Sequence, residues 1–248
     1  MTVIQVQQPE APPRTPLRGT LFDAAQIVDG LPIGMLVDEV DDLYESWACL
    51  TNYQTVGDPC DTGVTKTFES IPWNSSIYTV AYLGATCKGP GFVFDEALPK
   101  LSDQFSSIES RIVAKALLDE MTNGGTQLGG AGTVTPVEAL GLLEGWAAHY
   151  YAGAPTIHMG RNMLAHLCMQ LDTSGTTFRS CAGSKIAADD QSDKMYLTGE
   201  VVIRRGQLVT VPAINTSTND MTFLAERAYL ITYDCVDAWV DVDVTVGP

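Results

Sequence analysis

The most regular run of apolar positions lies between Leu98 and Met121. Leu98, Leu101, Phe105, Ile108, Ile112 and Ala116 recur at steps of three and four, the spacing of one face of an α-helix. The pattern predicts a helix of about six turns that starts near Asp95 or Glu96 and stops at Asn123-Gly124-Gly125. Pro99 fits such a helix only in its first turn. Ile108 and Ile112 stand at the centre of the apolar face and are expected to be buried. A second helix is announced by its beginning: Thr135-Pro136-Val137-Glu138 sets threonine as N-cap, proline first and glutamate third, which is a capping box. Leu140, Leu143, Trp146, Ala147 and Tyr150 form its apolar face, and Gly153 is the expected cap of its end. A third helix is expected from Arg161 to Leu171, introduced by Ala154-Pro155-Thr156-Ile157-His158.

From about Lys194 the period changes to two. Met195 to Ile203, Leu208 to Val211, Phe223 to Tyr233 and Ala238 to Val246 are predicted strands; in the last, Val240, Val242, Val244 and Val246 share one face. Strand-favouring residues also fill Gly63 to Gly84. Val64, Thr65, Thr67 and Phe68 form one run, Ile77, Tyr78, Val80 and Tyr82 another, and Pro72-Trp73-Asn74-Ser75-Ser76 is the expected turn. This projecting hairpin closes at the breaker Lys88-Gly89-Pro90-Gly91. Residues 1 to about 20 carry Pro9, Pro12, Pro13 and Pro16 with Arg14 and Arg18, so they are expected as an extended arm, either disordered or ordered on a neighbouring subunit. Leu21 to about Leu50 is acidic and suits a short helix or an irregular docked segment. The segments expected are thus 1–20, the arm; 21–94, the docked segment and hairpin; 95–134, the long helix and a glycine-rich loop; and 135–248, helices followed by strands. The class is α+β.

A chain of 248 residues is one large domain or two small ones. With 45% hydrophobic and 18% charged residues it is globular and not disordered. Thirty acidic against 14 basic residues give a formal charge of −16, and the densest basic feature is the pair Arg204-Arg205. Electrostatic binding to nucleic acid needs a cationic footprint, so direct binding of DNA or RNA is not expected. The N-terminus lacks a basic segment followed by an apolar one, so no signal peptide is evident. No run of about 18 apolar residues suggests a membrane span; Glu144, His149 and His158 interrupt the most apolar stretch, Ala139 to Met159. The six cysteines, Cys49, Cys60, Cys87, Cys168, Cys181 and Cys235, include no C-x-x-C and are expected as reduced, mostly buried thiols in a protein made in the cytoplasm.

Candidate chemistry is thin. Gly125 to Gly130 has the glycine spacing of a phosphate loop, but Ala131-Gly132 stand where lysine and a hydroxyl residue are needed, so a flexible loop is expected. No nucleophile elbow or dinucleotide fingerprint occurs. The three histidines, His149, His158 and His166, include no i, i+4 pair for zinc and are expected as partly buried helix residues. Asp237, Asp241 and Asp243 alternate along a predicted strand; they suit Ca²⁺ or a basic partner, and more simply a solvated face. The Asn74 and Asn215 sequons are chance matches without a secretory signal. No catalytic, cofactor or metal site is therefore expected, and the protein is not expected to be an enzyme.

The order of elements resembles the major capsid proteins of tailed bacteriophages with the HK97-like fold: an N-terminal arm, a protruding hairpin (the E-loop), a long spine helix of the P-domain, and a mixed A-domain with returning strands. The wording of Ala154-Pro155-Thr156-Ile157-His158-Met159, of Tyr196-Leu197-Thr198-Gly199-Glu200-Val201-Val202-Ile203-Arg204-Arg205 and of Leu224-Ala225-Glu226-Arg227-Ala228-Tyr229 is similar to capsid proteins of phages that infect actinobacteria. The resemblance implies a shell subunit of the virion that assembles with copies of itself, as hexamers, pentamers or both, around double-stranded DNA it does not read. It also implies decoration, scaffolding and portal proteins as partners, and no membrane. A pentamer-specific or minor capsid protein and an encapsulin-like compartment shell share the fold and remain open. The chain is short for the family and carries no charged coiled-coil scaffolding segment before the arm. Arg14, Arg18, Trp73, Arg204 and Arg205 are the expected assembly contacts.

Overall fold

A computed structural model describes residues 17–31, 44–45, 73–74, 76–88, 94–121, 125–130, 132–190, 193–215, 220–234 and 238–245. A single helical turn, α1 (Leu21–Ala24), leads into β1 (Gln26–Asp29). Two short strands, β2 (Tyr44–Glu45) and β3 (Trp73–Asn74), pair with one another, and β4 (Ile77–Lys88) precedes the long helix α2 (Phe94–Met121). Then come β5 (Thr126–Gln127), α3 (Pro136–Tyr150), β6 (Thr156–Gly160) and α4 (Arg161–Leu167). Strands complete the chain: β7 (Leu171–Asp172), β8 (Phe178–Ser180), β9 (Lys185–Asp190), β10 (Lys194–Thr198), β11 (Val201–Arg205), β12 (Val209–Asn215), β13 (Asp220–Tyr233) and β14 (Ala238–Asp241).

Two sheets carry two cores. In the five-stranded sheet the order is β1-β11-β13-β12, with β4 antiparallel to β13. Asp220 faces both Lys88 and Asn215, and Tyr229 faces both Thr79 and Arg205, so β4 runs along one edge of β13 while β12 and β11 follow each other along the opposite edge. The seven-stranded sheet has the order β5-β14-β10-β6-β9-β8-β7. Helix α2 packs on β4 and β13, α3 on β14 and β10, and α4 on β6 and β9.

The long helix forms where its periodicity places it, but it presents a different stripe to the core. Its buried stripe is Leu101, Phe105, Glu109, Val113, Leu117 and Met121, four apart throughout, with Ala97, Ala114 and Leu118 buried beside it. Ile108 and Ile112 are half-buried at its margin, contrary to the expectation from the sequence. A glutamate lies in the middle of the stripe, so counting apolar residues turned the expected face by about one position. Pro99 is the sixth residue of α2 rather than part of its first turn, and its ring is exposed.

Helix α3 starts as expected. Thr135 Oγ1 accepts from the Glu138 N–H at 3.3 Å, and the Glu138 carboxylate accepts from the Thr135 N–H at 3.0 Å. Thr135→Ala should destabilise the protein by about 1 kcal/mol, the usual value of an N-cap, and a denaturant melt measures it. The other end differs. Tyr151, in extended conformation, donates its N–H to the Ala147 carbonyl and closes the helix. Gly153 caps nothing; a Cβ there would stand 2.8 Å from the Tyr151 ring, so its absence makes room for that ring.

Other expected boundaries shift for identifiable reasons. α4 ends at Leu167, the Gln170 N–H turns back to the Leu167 carbonyl, and Leu171 begins β7. The expected strand Met195 to Ile203 is two strands in different sheets, broken at Gly199-Glu200. The neighbouring passage from β13 to β14 lies beside the break: Gly199 N–H donates to the Asp234 carbonyl at 3.3 Å and Asp234 N–H to the Glu200 carbonyl at 3.0 Å. A Cβ on Gly199 would stand 2.5 Å from Asp234 Cβ. The glycine-rich loop contributes β5, parallel to β14, and its Gly125, Gly129 and Gly130 all take positive φ. Trp73-Asn74, expected as a turn, is instead β3. The run Val64 to Phe68, and with it one arm of the expected hairpin, lies outside the described residues.

Candidate assembly surface

Alternation along β4 separates two kinds of face. Ile77, Thr79, Ala81 and Leu83 point toward α2, with Ala81 fully buried, while Tyr78, Val80 and Tyr82 point away. Residues directly opposite in the ladder share a face, so the outward row can be followed across the sheet. Tyr82, Glu226 and Val209 form one row; Leu224 and Val211 lie in the next; Tyr78, Leu230, Arg204 and Val28 form another. No described helix covers this face. Tyr82 is 67% exposed, and Tyr78, Val80, Val209 and Val211 each exceed 40%. Among the described residues β4 pairs only with β13. An exposed apolar sheet face is what a protein covers when it associates.

The inward face of the same sheet is tied to α2 by a polar network. Glu109 Oε2 accepts from Arg227 Nη1 at 2.7 Å and from the Tyr229 hydroxyl at 2.5 Å. Arg205 Nη1 lies 3.9 Å from Glu109 Oε1, and its Nε is 2.5 Å from Asp29 Oδ1. The hydrogen bond from Arg205 holds the Asp29 carboxyl below the usual carboxylate range. Burial, and then the Glu109 carboxylate, push the Tyr229 hydroxyl well above its ordinary value.

These contacts place the residues nominated from the sequence. Arg204 is exposed on the outward face, and Arg205, its neighbour, turns inward to Asp29 and Glu109. Arg18 docks on its own chain: its guanidinium donates to the carbonyls of Thr173 (3.1 Å) and Gly175 and lies 5.7 Å from the centre of the Phe178 ring. Gly19, at φ +68°, donates to Thr176 and accepts from Ala188, and the Phe178 ring occupies the space a Cβ would need. Removing residues 1–20 would therefore strip the contacts of Arg18 and Gly19 that removing 1–16 leaves in place. Trp73 belongs to β3, whose backbone pairs with β2. Arg14 lies outside the described residues.

Residues weighed for chemistry have structural occupations. His158 lies on β6 rather than on a helix, is buried, and bonds through Nε2 to Thr198 Oγ1 at 2.8 Å; burial pushes it down to about 4, so it is neutral at physiological pH. His149 sits edge-on to the Tyr150 ring with centroids 4.4 Å apart. Asp241 accepts from Gln127 Nε2 at 2.8 Å, and Asp243 holds the hydroxyl and N–H of Thr245; Asp237 lies outside the described residues. Cys168 and Cys181 are exposed free thiols, unlike the buried cysteines expected, because each occupies a surface turn next to a strand or helix end. Among the described residues no cluster of three His, Cys, Asp or Glu is arranged for a metal, and no helix is long and apolar enough to cross a membrane.

No family model matches the sequence, and no curated protein matches it. Solved structures do. The holo-SrpI encapsulin complex from Synechococcus elongatus PCC 7942 is similar over 97% of this chain and 95% of its own, with a TM-score of 0.50 at 13% identity. The capsid of Ralstonia phage GP4 covers 98% of both chains with a TM-score of 0.48 at 10% identity. Mycobacterium phage Che8 covers 79% of this chain and 82% of its own, with a TM-score of 0.46 at 13% identity. A long helix laid across a sheet built on β4 and β13, joined to a second sheet with α3 and α4 upon it, and the whole-length likeness to the encapsulin together mean that this chain has the HK97-like fold.

Proposed function

We propose that the protein is a structural shell subunit, and that it is the major capsid protein whose copies form the icosahedral head around phage double-stranded DNA. The observation that carries this reading is the HK97-like fold combined with an apolar sheet face that no described helix covers. A subunit that closes a shell buries such faces against its own copies. The capsid-like wording from Ala154 to Met159, Tyr196 to Arg205 and Leu224 to Tyr229 supports the phage assignment within that fold. A net charge of −16 supports a wall that repels packaged DNA and lets it slide. Arg204 is proposed as the cation of the contact face, and Arg14 and Trp73 as contacts made from the arm and from β3. A compartment shell carrying protein cargo is the second reading, favoured by the likeness to the SrpI encapsulin.

Negative-stain microscopy of the expressed protein tests the shell. Particles that protect double-stranded DNA from nuclease during infection mark a capsid; particles that copurify with one cargo protein and no DNA mark the compartment. The face is tested separately with Tyr82→Asp and Val211→Asp combined. Both side chains are exposed, so the melting transition should move by no more than about 0.5 kcal/mol, while particles disappear from the micrographs. Undiminished particle yield would remove this face from the contact.

A further inference from the structure

The outward face of the five-stranded sheet carries few charges. In its described rows from Tyr78 to Thr86 only two side chains are charged, Arg204 and Glu226. Their chain neighbours Arg205 and Arg227 turn inward to Glu109. Arg204 is exposed and Glu226 half-buried, and among the described residues neither is in an ion pair. The apolar field around them is Tyr78, Val80, Tyr82, Val209 and Val211.

The ladder fixes where the two charges stand. Val80 and Ala228 face each other in a middle row. On one side lies the row of Tyr78, Leu230 and Arg204, and on the other the row of Tyr82, Glu226 and Val209. Arg204 is level with Leu230, four residues from Glu226, which is about 13 Å along the strand. A two-fold axis that runs along the middle row, in the plane of contact, exchanges the two outer rows. It carries the cation of one copy over the anion of the other, and the reverse pair forms across the axis, as an isologous contact requires. Arg204 stands one strand aside from Glu226. A long arginine side chain and the crossing angle of about 30° usual for stacked sheets absorb that offset. We propose, on the reading of this face as a contact between subunits, that two copies stack it upon itself about such an axis, with Arg204 of each paired to Glu226 of the other. A net charge of −16 sets copies against one another, and a face with one cation to one anion escapes that repulsion.

Sedimentation velocity of the full-length protein over a dilution series, with Arg204→Glu, Glu226→Arg and both changes in one chain, reads the pairing. Each single reversal turns two attractive pairs into repulsive ones and should weaken association about tenfold or more. The double reversal, and an equal mixture of the two single variants, should restore it. Ala228→Cys treated with a short bis-maleimide should yield a peptide joined to its own copy through residue 228, because a residue at the axis meets itself. Thermal melts show which variants fold; if Ala228→Cys does not, loss and rescue by the reversals still decide. Association that tolerates both single reversals, reversals that neither the double variant nor the mixture rescues, or a folded Ala228→Cys without the self-link would each overturn the stacked pair. Particles formed alongside any of these results leave the shell standing. Rescue and self-link without particles would overturn the shell and leave the pair.

Discussion

Glu109→Ala is expected to cost about 3–5 kcal/mol of stability, the range for removing one partner of a buried ion pair. The side chain of Glu109 is 7% exposed and that of Arg227 is 15% exposed, so little water reaches either. Deleting the carboxylate leaves the Arg227 guanidinium without its counter-charge and the buried Tyr229 hydroxyl without its acceptor. Such groups lose their solvation on folding and recover none of it. Arg205 retains Asp29, so its part of the loss is small. Urea denaturation of the variant against the wild type measures the difference. A double change, Glu109→Met with Arg227→Met, removes both charges at once and should recover most of the loss. A Glu109→Ala variant within 1 kcal/mol of wild type would show that the carboxylate does not hold the sheet to α2.

Phe105→Ala should be nearly as damaging, about 3–5 kcal/mol, through the cavity it leaves under β4 and β13. Phe105 is fully buried, whereas Ile108 and Ile112 are not. Alanine at either isoleucine should therefore cost clearly less, and the order Phe105 over Ile112 distinguishes the observed stripe from the one that apolar spacing predicts. Equal losses at Phe105 and Ile112 would restore the predicted face. Ser110→Ala is not a silent comparison, because that hydroxyl bridges Phe22 and Asp189.

The contrast between Glu109 and Thr135 shows which features a sequence discloses. Thr135 and Glu138 satisfy each other within one turn, so a four-residue pattern contains the whole device. The alternation of Ala238 and Val240 with Trp239 and Asp241 is equally local, because β14 buries one face fully and the other only partly. β6 buries every residue, so Thr156 to Gly160 has no alternation to read. β9 was missed for a related reason: Ile186, Ala187 and Ala188 are buried in succession and two of them are small. The division of β10 from β11 is decided by Asp234 and Tyr151, which close on Gly199 from elsewhere in the chain. The candidate surface was half legible. Tyr78, Val80 and Tyr82 stand out as strand residues, but which face stays open depends on where α2 lies. Arg205 stood beside Arg204 as an apparent basic pair, and Asp29, 176 residues away, together with Glu109 separates their roles.

The threading of the chain through its two sheets bears on how copies are made. β14 sits between β5 and β10, yet it is translated after every other strand of either sheet. β13, the strand that joins β4 to β11 and β12, emerges only shortly before it. Neither core can be completed while the nascent chain is still short, so folding cannot proceed from the N-terminus as one finished unit after another. The ladder that pairs Ile77–Lys88 with Asp220–Ile231 likewise waits for segments far apart in the polypeptide. A nascent chain that stops short of β13 therefore lacks the ordered row of Tyr82, Glu226 and Val209 on the outward face. Polysomes carrying many such chains can crowd together without engaging one another through that face, which forms only once β13 has emerged.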